Sequence, residues 1–290
     1  MSEITNYLSP CNLNDAVNAM ADGDVTVFCG GTDLTPQMQA GQKQYAGTLM
    51  NIRRVEGLSE IVLTGDTCRI GALATVTDIK ANKLLNELAP VLVAAADQFA
   101  SDQIRNAASI GGNICNASPA GDMIIPLLVL NAAVELASWQ DDAVQTRLVP
   151  LDEFFTAPGK TVMGDNELLT AVVFAKPAPG FVARFGKPGP RPALEISTVS
   201  VGIGGRLQDG VFSDVRAAMG AVAPTPIRAR GVESALEGLP LDAENIRAAA
   251  ASAGEDASPI DDVRASAWYR DHLVRVLTAE VLNDVLENGN

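Results

Sequence analysis

The stretch from Ser109 to Asp122, SIGGNICNASPAGD, constrains the possible folds of this chain more than any other part of the sequence. It is too small and polar to be hydrophobic core, and it carries too many hydrogen-bonding groups for an ordinary turn. Its paired glycines allow the backbone to adopt a positive φ angle and to approach a ligand closely. Successive exposed N–H groups then form a concave site for an anion. The stretch therefore predicts a loop that binds a negatively charged ligand.

A shorter version of the same pattern lies upstream, where FCGGTDL spans Phe28 to Leu34. Two glycines again follow a strand-like run, Val25 to Phe28, and a hydroxyl residue again comes after them. Each loop alone could be a tight turn. Two such loops in matching contexts favour one elongated, phosphate-bearing ligand that is held at two places.

The two best-known nucleotide-binding patterns, G-x-G-x-x-G and G-x-x-x-x-G-K-[ST], do not occur in the context that they require. Gly202 and Gly204 in VGIGGRL imitate the first pattern, but they lie inside a predicted strand with no helix after it. Neither glycine loop contains arginine or lysine. Backbone N–H groups and a helix N-terminus must therefore balance the charge of the ligand.

Composition excludes several classes of function. The net charge of −14 argues against nucleic acid and anionic membrane as partners. The four cysteines are scattered without a C-x-x-C pair, and His272 is the single histidine. A metal or iron–sulfur site in this chain and a histidine-dependent catalytic triad are therefore not expected. The cysteine usage and the absence of a signal-peptide or membrane-spanning pattern predict a cytoplasmic protein.

The hydrophobic pattern predicts an α+β protein in which the arrangement of strands and helices changes twice along the chain. Short strands and helices fill residues 1–55, and residues 56–176 begin with a hairpin and continue with helices around the central loop. The run KPAPG at 176–180 is the clearest linker. Residues 177–290 are predicted to form a three-stranded antiparallel sheet and three helices, near 227–236, 241–253 and 266–287.

Several segments of the chain resemble those of a known family. FCGGTDL and SIGGNICNASPAGD are similar to the two flavin-binding segments of the FAD-binding, medium subunit of molybdenum hydroxylases, the xanthine dehydrogenase and carbon monoxide dehydrogenase group. The resemblance runs almost end to end. It includes IGALATVTDI at 70–79, QIRNAASIGGN at 103–113, a K-x-G-x-R segment at 187–191 followed by EIS, and DVRASAWYR at 262–270.

The resemblance implies an FAD-binding fold of two small α/β subdomains, followed by a C-terminal domain with an antiparallel sheet and helices. Gly30, Gly31 and Thr32 would bind the pyrophosphate, and the segment 109–113 would form a second strap. Asp122 would hydrogen-bond the cofactor. The residues implied in cofactor binding are Val27, Phe28, Cys29, Gly30, Gly31, Thr32, Asp33, Leu34, Phe99, Ser109, Ile110, Gly111, Gly112, Asn113, Ser118, Asp122, Leu168 and Lys187.

Several of these side chains also have plainer interpretations. Asp122 could cap the apolar helix predicted at 123–130, and Asp33 could serve the start of the helix after the first loop. Phe99, which the resemblance places near the flavin ring with Leu168 and Lys187, could be ordinary helix core. Lys187 could be a solvated lysine.

The resemblance also implies a function without a catalytic or metal-binding residue in this chain. FAD would be bound non-covalently and would pass electrons from iron–sulfur clusters to an external acceptor. A small partner subunit would hold those clusters and a large one the molybdenum cofactor, assembled as a dimer of heterotrimers. The alternative, from another class, is a scaffold or regulatory module that kept the fold and lost the cofactor.

The C-terminal segment DVRASAWYR supplies a candidate contact with such partners. Arg264, Trp268, Tyr269 and Arg270 are residue types enriched at interface hot spots. The plainer interpretation is a helix start whose aromatic side chains lie in the core.

Overall fold

Over residues 4–21, 23–188 and 195–288, which the computed structural model describes, the chain forms three packed units. The first unit covers residues 6–51. Its elements are β1 (Asn6–Leu8), α1 (Leu13–Ala19), β2 (Val25–Phe28), α2 (Leu34–Gln39) and β3 (Thr48–Asn51). Strand β3 lies between β1 and β2 and is parallel to both. The carboxyl ends of the strands therefore share one edge of the sheet, and the first glycine loop leaves β2 at that edge.

The second unit covers residues 61–175 and is built on an antiparallel sheet of order β4-β5-β10-β6-β7. On its central strands Val172 pairs with Ile70 and with Val134, and all three side chains are fully buried. The strands are β4 (Ile61–Thr64), β5 (Thr67–Gly71), β6 (Ala133–Gln140), β7 (Ala143–Pro150), β8 (Phe155–Ala157), β9 (Lys160–Thr161) and β10 (Leu168–Ala175). The helices are α3 (Val76–Ala81), α4 (Lys83–Leu88), α5 (Pro90–Gln98), α6 (Asp102–Arg105), α7 (Ile110–Cys115) and α8 (Ile124–Val129).

The third unit covers residues 181–288. The long strands β11, β12 and β13 form an antiparallel meander. The short strands β14 and β15 pair with the two ends of β13. Its elements are β11 (Phe181–Gly186), β12 (Ser200–Gln208), β13 (Val211–Gly220), β14 (Ile227–Arg228), α9 (Arg230–Leu236), β15 (Leu239–Pro240), α10 (Ala243–Asp256) and α11 (Ala267–Asn288). Helix α11 packs Val274, Val281 and Leu282 against the sheet in one apolar cluster.

Helix α8 joins the second and third units. All six of its residues are buried, because it packs against β12 and β13 as well as against its own unit. Gly202 and Gly204 leave room for it: a Cβ on Gly202 would lie 3.0 Å from a methyl carbon of Ile125, and one on Gly204 would lie 2.9 Å from a methyl carbon of Val129. The glycines that imitate a dinucleotide motif therefore serve close packing between the two units.

The α+β class predicted from the sequence is confirmed, and so are the strand over Val25–Phe28 and the hairpin of β4 and β5. Three predictions of secondary structure are wrong. The segment 109–122, predicted as a loop, contains helix α7, and residues 227–228, predicted as helix, form β14 because they pair with β13. The C-terminal sheet, predicted with three strands, has five among the described residues, because β14 and β15 both pair with β13. Of the K-x-G-x-R segment, Gly189 to Arg191 lie outside the described residues.

A capping box at Thr75 starts α3 beside the second glycine stretch. The Thr75 hydroxyl accepts the Asp78 N–H at 3.1 Å, and the Asp78 carboxylate accepts the Thr75 N–H at 2.9 Å. The same turn pairs with the residues before α7, since Val76 N–H donates to the Ala108 carbonyl at 3.0 Å. The cap therefore also fixes the backbone that leads into the site.

Replacing Thr75 by alanine is expected to lower the free energy of unfolding by about 1 kcal/mol, because the Asp78 N–H loses its acceptor and the Asp78 carboxylate loses the hydroxyl that donates to it. Urea denaturation of the full chain measures the change. The control is Thr75→Ser, which keeps the hydroxyl and should unfold close to the unmodified chain. Equal losses in both variants would contradict a role for the cap.

Candidate cofactor site

A cavity of about 710 Å³ lies where the three units meet. Its volume falls within the range of roughly 300–1,000 Å³ that is usual for small-molecule and cofactor sites. All three units contribute to its wall. The predicted residues found in that wall are Val27, Cys29, Gly30, Gly31, Thr32, Asp33, Leu34, Phe99, Ser109, Gly112, Asn113, Ser118 and Asp122.

The first glycine loop has the free donors that an anion needs. Within the described ranges, no protein acceptor takes the N–H groups of residues 31–34. Gly31 has φ +68°, where a side chain would be strained and would also approach the Phe28 ring to 2.5 Å. Gly30 is needed for another reason: a Cβ there would lie 1.9 Å from the Ala107 carbonyl oxygen. The loop therefore packs tightly on the second unit and presents consecutive N–H groups to the cavity.

The second glycine stretch works differently from the prediction. Gly111 and Gly112 lie in the first turn of α7, not at positive φ, so that part of the prediction is wrong. Their N–H groups are already used: Gly111 donates to the Ala72 carbonyl at 2.9 Å, and Gly112 donates to the Ser109 hydroxyl at 3.1 Å. The stretch therefore shapes the wall by its small size and does not supply backbone donors.

The lack of side chains has a separate purpose at each of these two glycines. A Cβ on Gly111 would lie 2.8 Å from the Ala72 carbonyl oxygen, so this glycine allows α7 to pack against the end of β5. Gly112 lines the cavity, where a Cβ would lie 2.9 Å from Ser109 Oγ and 3.8 Å from Cys29 Sγ. The Cys29 thiol and the Ser109 hydroxyl are 3.3 Å apart and link the two glycine segments.

Asn113 carries an unmet hydrogen-bonding group at the cavity. Its side-chain oxygen is buried and has no partner among the described residues, although the residue lies in the cavity wall. A buried polar atom without a partner is costly, so a ligand group that donates to this oxygen would be favoured here. This observation fits a bound polar cofactor.

A buried ionic cluster lies where the second and third units meet. Lys187 Nζ donates to Asp122 Oδ2 at 2.6 Å and to the Glu195 carbonyl at 2.9 Å, and the Ser197 hydroxyl donates to the other Asp122 oxygen. Burial raises the pKa of Asp122, while the Lys187 ammonium and the Ser197 hydroxyl act in the opposite direction. A buried pair of this kind is held by its geometry and by its further hydrogen bonds.

These contacts overturn two of the plainer interpretations. Asp122 does not cap α8, because Met123 occupies the N-cap position and no side chain caps that helix. Lys187 is not a solvated lysine, since its side chain is only 5% exposed. Asp33 does occupy the N-cap position of α2, but its carboxylate accepts from Gln37 and bonds no N–H of the first turn.

Five of the predicted binding residues do not lie in the cavity wall. Leu168 is buried in the apolar cluster around α1, because β10 begins against the first unit, and this corrects its predicted place beside the flavin. Ile110 faces the core of the second unit. Phe28, Gly111 and Lys187 support the wall from behind. Phe99 does both things that the sequence allowed, since it lines the cavity and packs on the core.

The sequence prediction missed part of the wall. The third unit supplies residues from three separate segments, and the first unit supplies a cation. These additional residues are Lys43, Cys115, Asn116, Glu195, Ile196, Ser197, Ala221, Ile260, Asp262, Arg264 and Arg270. The segments EIS and DVRASAWYR were visible as motifs, but only the packing of the third unit on the second brings them to the cavity. The Ala221 N–H, just after β13, donates to the Pro119 carbonyl at 2.7 Å.

Comparison with known proteins identifies the family of this chain. Residues 2–177 match the family described as the FAD binding domain in molybdopterin dehydrogenase, and residues 186–285 match the CO dehydrogenase flavoprotein C-terminal domain. The xanthine dehydrogenase FAD-binding subunit of Escherichia coli O157:H7 is 33% identical over 289 residues, which cover 99% of this chain and 97% of that protein. The chain is an FAD-binding subunit of the molybdenum hydroxylase family.

Two further comparisons agree with this assignment. The carbon monoxide dehydrogenase medium chain of Hydrogenophaga pseudoflava is 28% identical, and the match covers 96% of this chain and 95% of that one. A solved structure of carbon monoxide dehydrogenase from the same organism, lacking the Mo-pyranopterin moiety of its cofactor, matches with a TM-score of 0.90 at 27% identity. That match covers 98% of this chain and 97% of the other.

This flavoprotein subunit is therefore part of an oxidoreductase, and its cofactor is FAD. The cavity fits that cofactor. Among the residues that the structure describes, the four consecutive N–H groups of residues 31–34 have no acceptor and would suit a pyrophosphate, and the Asn113 oxygen has no donor. Among the described helices, none is both long and apolar enough to cross a membrane. The described ranges also contain no group of three His, Cys, Asp or Glu side chains placed to hold a metal ion.

The variant Gly112→Val is expected to fold but to purify without flavin, because its methyl groups would enter the cavity where the two glycine segments meet. The ratio of visible flavin absorbance to protein measures the effect. The matched control is Gly164→Val, which adds the same side chain on an exposed loop outside the cavity wall and should keep full flavin content. Normal flavin content in Gly112→Val would remove α7 from the binding site.

Proposed function

We propose that this subunit relays electrons from iron–sulfur clusters in a partner chain, through FAD, to an external acceptor. The observation that carries the proposal is the first glycine loop, whose free N–H groups face a cavity walled by all three units. Such a site binds and orients a dinucleotide. When bound, FAD supplies the redox chemistry, since it accepts and donates both single electrons and electron pairs.

The residues of this chain hold the cofactor at separate points. The N–H groups of residues 31–34 would bind the pyrophosphate, and the amide of Asn113 would bond a polar group of the same cofactor. Phe99 would supply an apolar wall for the flavin ring, and the cluster of Asp122 and Ser197 would supply polar groups.

The proposal includes two partner subunits, a large one with the molybdenum cofactor and a small one with the iron–sulfur clusters, assembled as a dimer of heterotrimers. The name of one relative, a medium chain, supports an assembly of several chains. An exposed apolar surface supports it as well. Ile260 in the cavity wall is 67% exposed, Val263 is 99% exposed and Trp268 is 74% exposed.

The exposure of DVRASAWYR supports its interpretation as a contact segment. Trp268 and Tyr269 point into solvent, so they are not core residues. Arg270 is buried and fixes the segment instead, since it donates to Asp262 at 2.8 Å and to the Ile260 carbonyl at 3.0 Å. Exposed aromatic side chains on a rigid segment are typical of an interface.

We also propose a cytoplasmic location. Cys11, Cys29, Cys68 and Cys115 are all free thiols in the structure, as is usual in a reducing compartment.

FAD is expected to be bound without a covalent link. His272 stacks on Trp268 with ring centroids 5.9 Å apart and does not line the cavity. Cys29 and Cys115 do line it, so these two thiols are the candidate attachment points if a covalent link forms. Acid precipitation should leave all flavin in the supernatant. Flavin on the pellet would contradict this, and Cys29→Ser and Cys115→Ser would then identify the attachment.

The chain alone is expected to bind FAD and to oxidise no organic substrate, because the proposal places substrate chemistry in the large partner. Purines, aldehydes, N-heterocycles and carbon monoxide are offered to the FAD-loaded chain with an artificial dye as acceptor. As a positive control, the same chain reduced with dithionite should pass its electrons to the dye. Turnover of any organic substrate would overturn the relay, and a colourless chain that cannot be loaded with FAD would favour the scaffold alternative.

A further inference from the structure

The turn after α5 places two residues directly in the cavity wall. Phe99 and Ala100 both line the cavity. Ala100 has φ +39°, a conformation that a residue with a side chain rarely adopts. Strained backbone of this kind persists only where surrounding contacts hold it in place. The Ala100 turn therefore depends on the contacts around it.

Two buried cations hold the turn through its carbonyl groups. Arg105 Nη1 donates to the carbonyls of Phe99, of Ala100 at 2.9 Å and of Asp97 at 3.3 Å. Lys187 Nζ, which belongs to the third unit, approaches the remaining carbonyl, that of Gln98, at 3.5 Å. These four carbonyls lie at the negative end of α5, where positive charge is favoured.

Arg105 makes more and shorter hydrogen bonds to the turn than Lys187 does. Its side chain is 9% exposed, and its other terminal nitrogen donates to the carboxylate of Asp102, which is largely in solvent. The charge of the guanidinium is thus balanced from the outside, and its inner face is committed to the turn. Arg105 itself does not lie in the cavity wall, although Ile104 beside it does.

We propose that Arg105 is a positioning residue for FAD, which acts through the Phe99 side chain by fixing the carbonyls of the strained turn that carries it. The proposal rests on the proposed function, because it requires FAD in this cavity. An arginine suits the task since its planar group presents several donors at fixed angles, whereas lysine has one small ammonium group. If the role were only structural, loss of Arg105 would change stability without changing how the cofactor is bound.

A double-mutant cycle on the full chain tests the proposal. The variants are Arg105→Met, Phe99→Ala and both together, and the readouts are the FAD dissociation constant and the visible absorption spectrum of the bound flavin. Arg105→Met is expected to weaken FAD binding about tenfold, as for the loss of charged hydrogen bonds, and to shift the spectrum. In the Phe99→Ala background the same change should alter the dissociation constant by less than about twofold, because the side chain that it positions is gone.

The matched control is Arg228→Met. Arg228 is also a buried arginine, with its side chain 8% exposed and bonded to Glu233, but it lies outside the cavity wall. This variant should lose stability while keeping its FAD affinity and flavin spectrum. If Arg105→Met does not fold, the same cycle is run with Arg105→Lys. Lysine keeps the charge but cannot bond all four acceptors of Arg105, which are three turn carbonyls and the Asp102 carboxylate.

The outcomes separate the two proposals. If the unmodified chain binds no FAD, the proposed function and the role of Arg105 both fail. If the unmodified chain binds FAD and the Arg105 variants bind it equally well with an unchanged spectrum, only the role of Arg105 is refuted. Equal effects of the Arg105 change with and without Phe99 would also refute it, since Arg105 would then not act through that side chain.

Discussion

The contact between Gly30 and the Ala107 carbonyl is the constraint on which the site depends. Since a Cβ at residue 30 would lie 1.9 Å from that oxygen, the two backbones meet with no room for a side chain. The contact brings the end of the parallel sheet against the segment that leads into α7. Cys29 and Ser109 then come within 3.3 Å of each other, and the free N–H groups of the first loop face the cavity.

The two glycine segments differ in whether their N–H groups bond within the protein. The second segment has the more specific sequence, yet its N–H groups bond to Ala72, Ala74 and Ser109. The first segment looks ordinary in sequence, yet its N–H groups are the free ones. A distinctive motif can therefore mark tight packing, and the donors that meet the ligand can lie in the less distinctive partner.

Local patterns in the sequence were enough to predict most of the fold. The strand Val25–Phe28, the hairpin at Ile61–Gly71 and the helix beginning at Thr75 all follow from alternation, turn residues and caps. The cavity wall was predictable where it is contiguous in sequence, as at residues 29–34. Leu168 and the wall residues from the third unit were not, because their places depend on how β10 and α11 pack, which no local pattern records.

Helix α8 determines how rigid the cavity is. Separating the second and third units would expose a helix that is apolar on every side, at a cost of roughly 1.5–3 kcal/mol for each large side chain. A hinge between these units is therefore closed at equilibrium. The parts of the cavity wall that these two units supply are already in place before any ligand enters, so binding carries no free-energy cost for bringing them together.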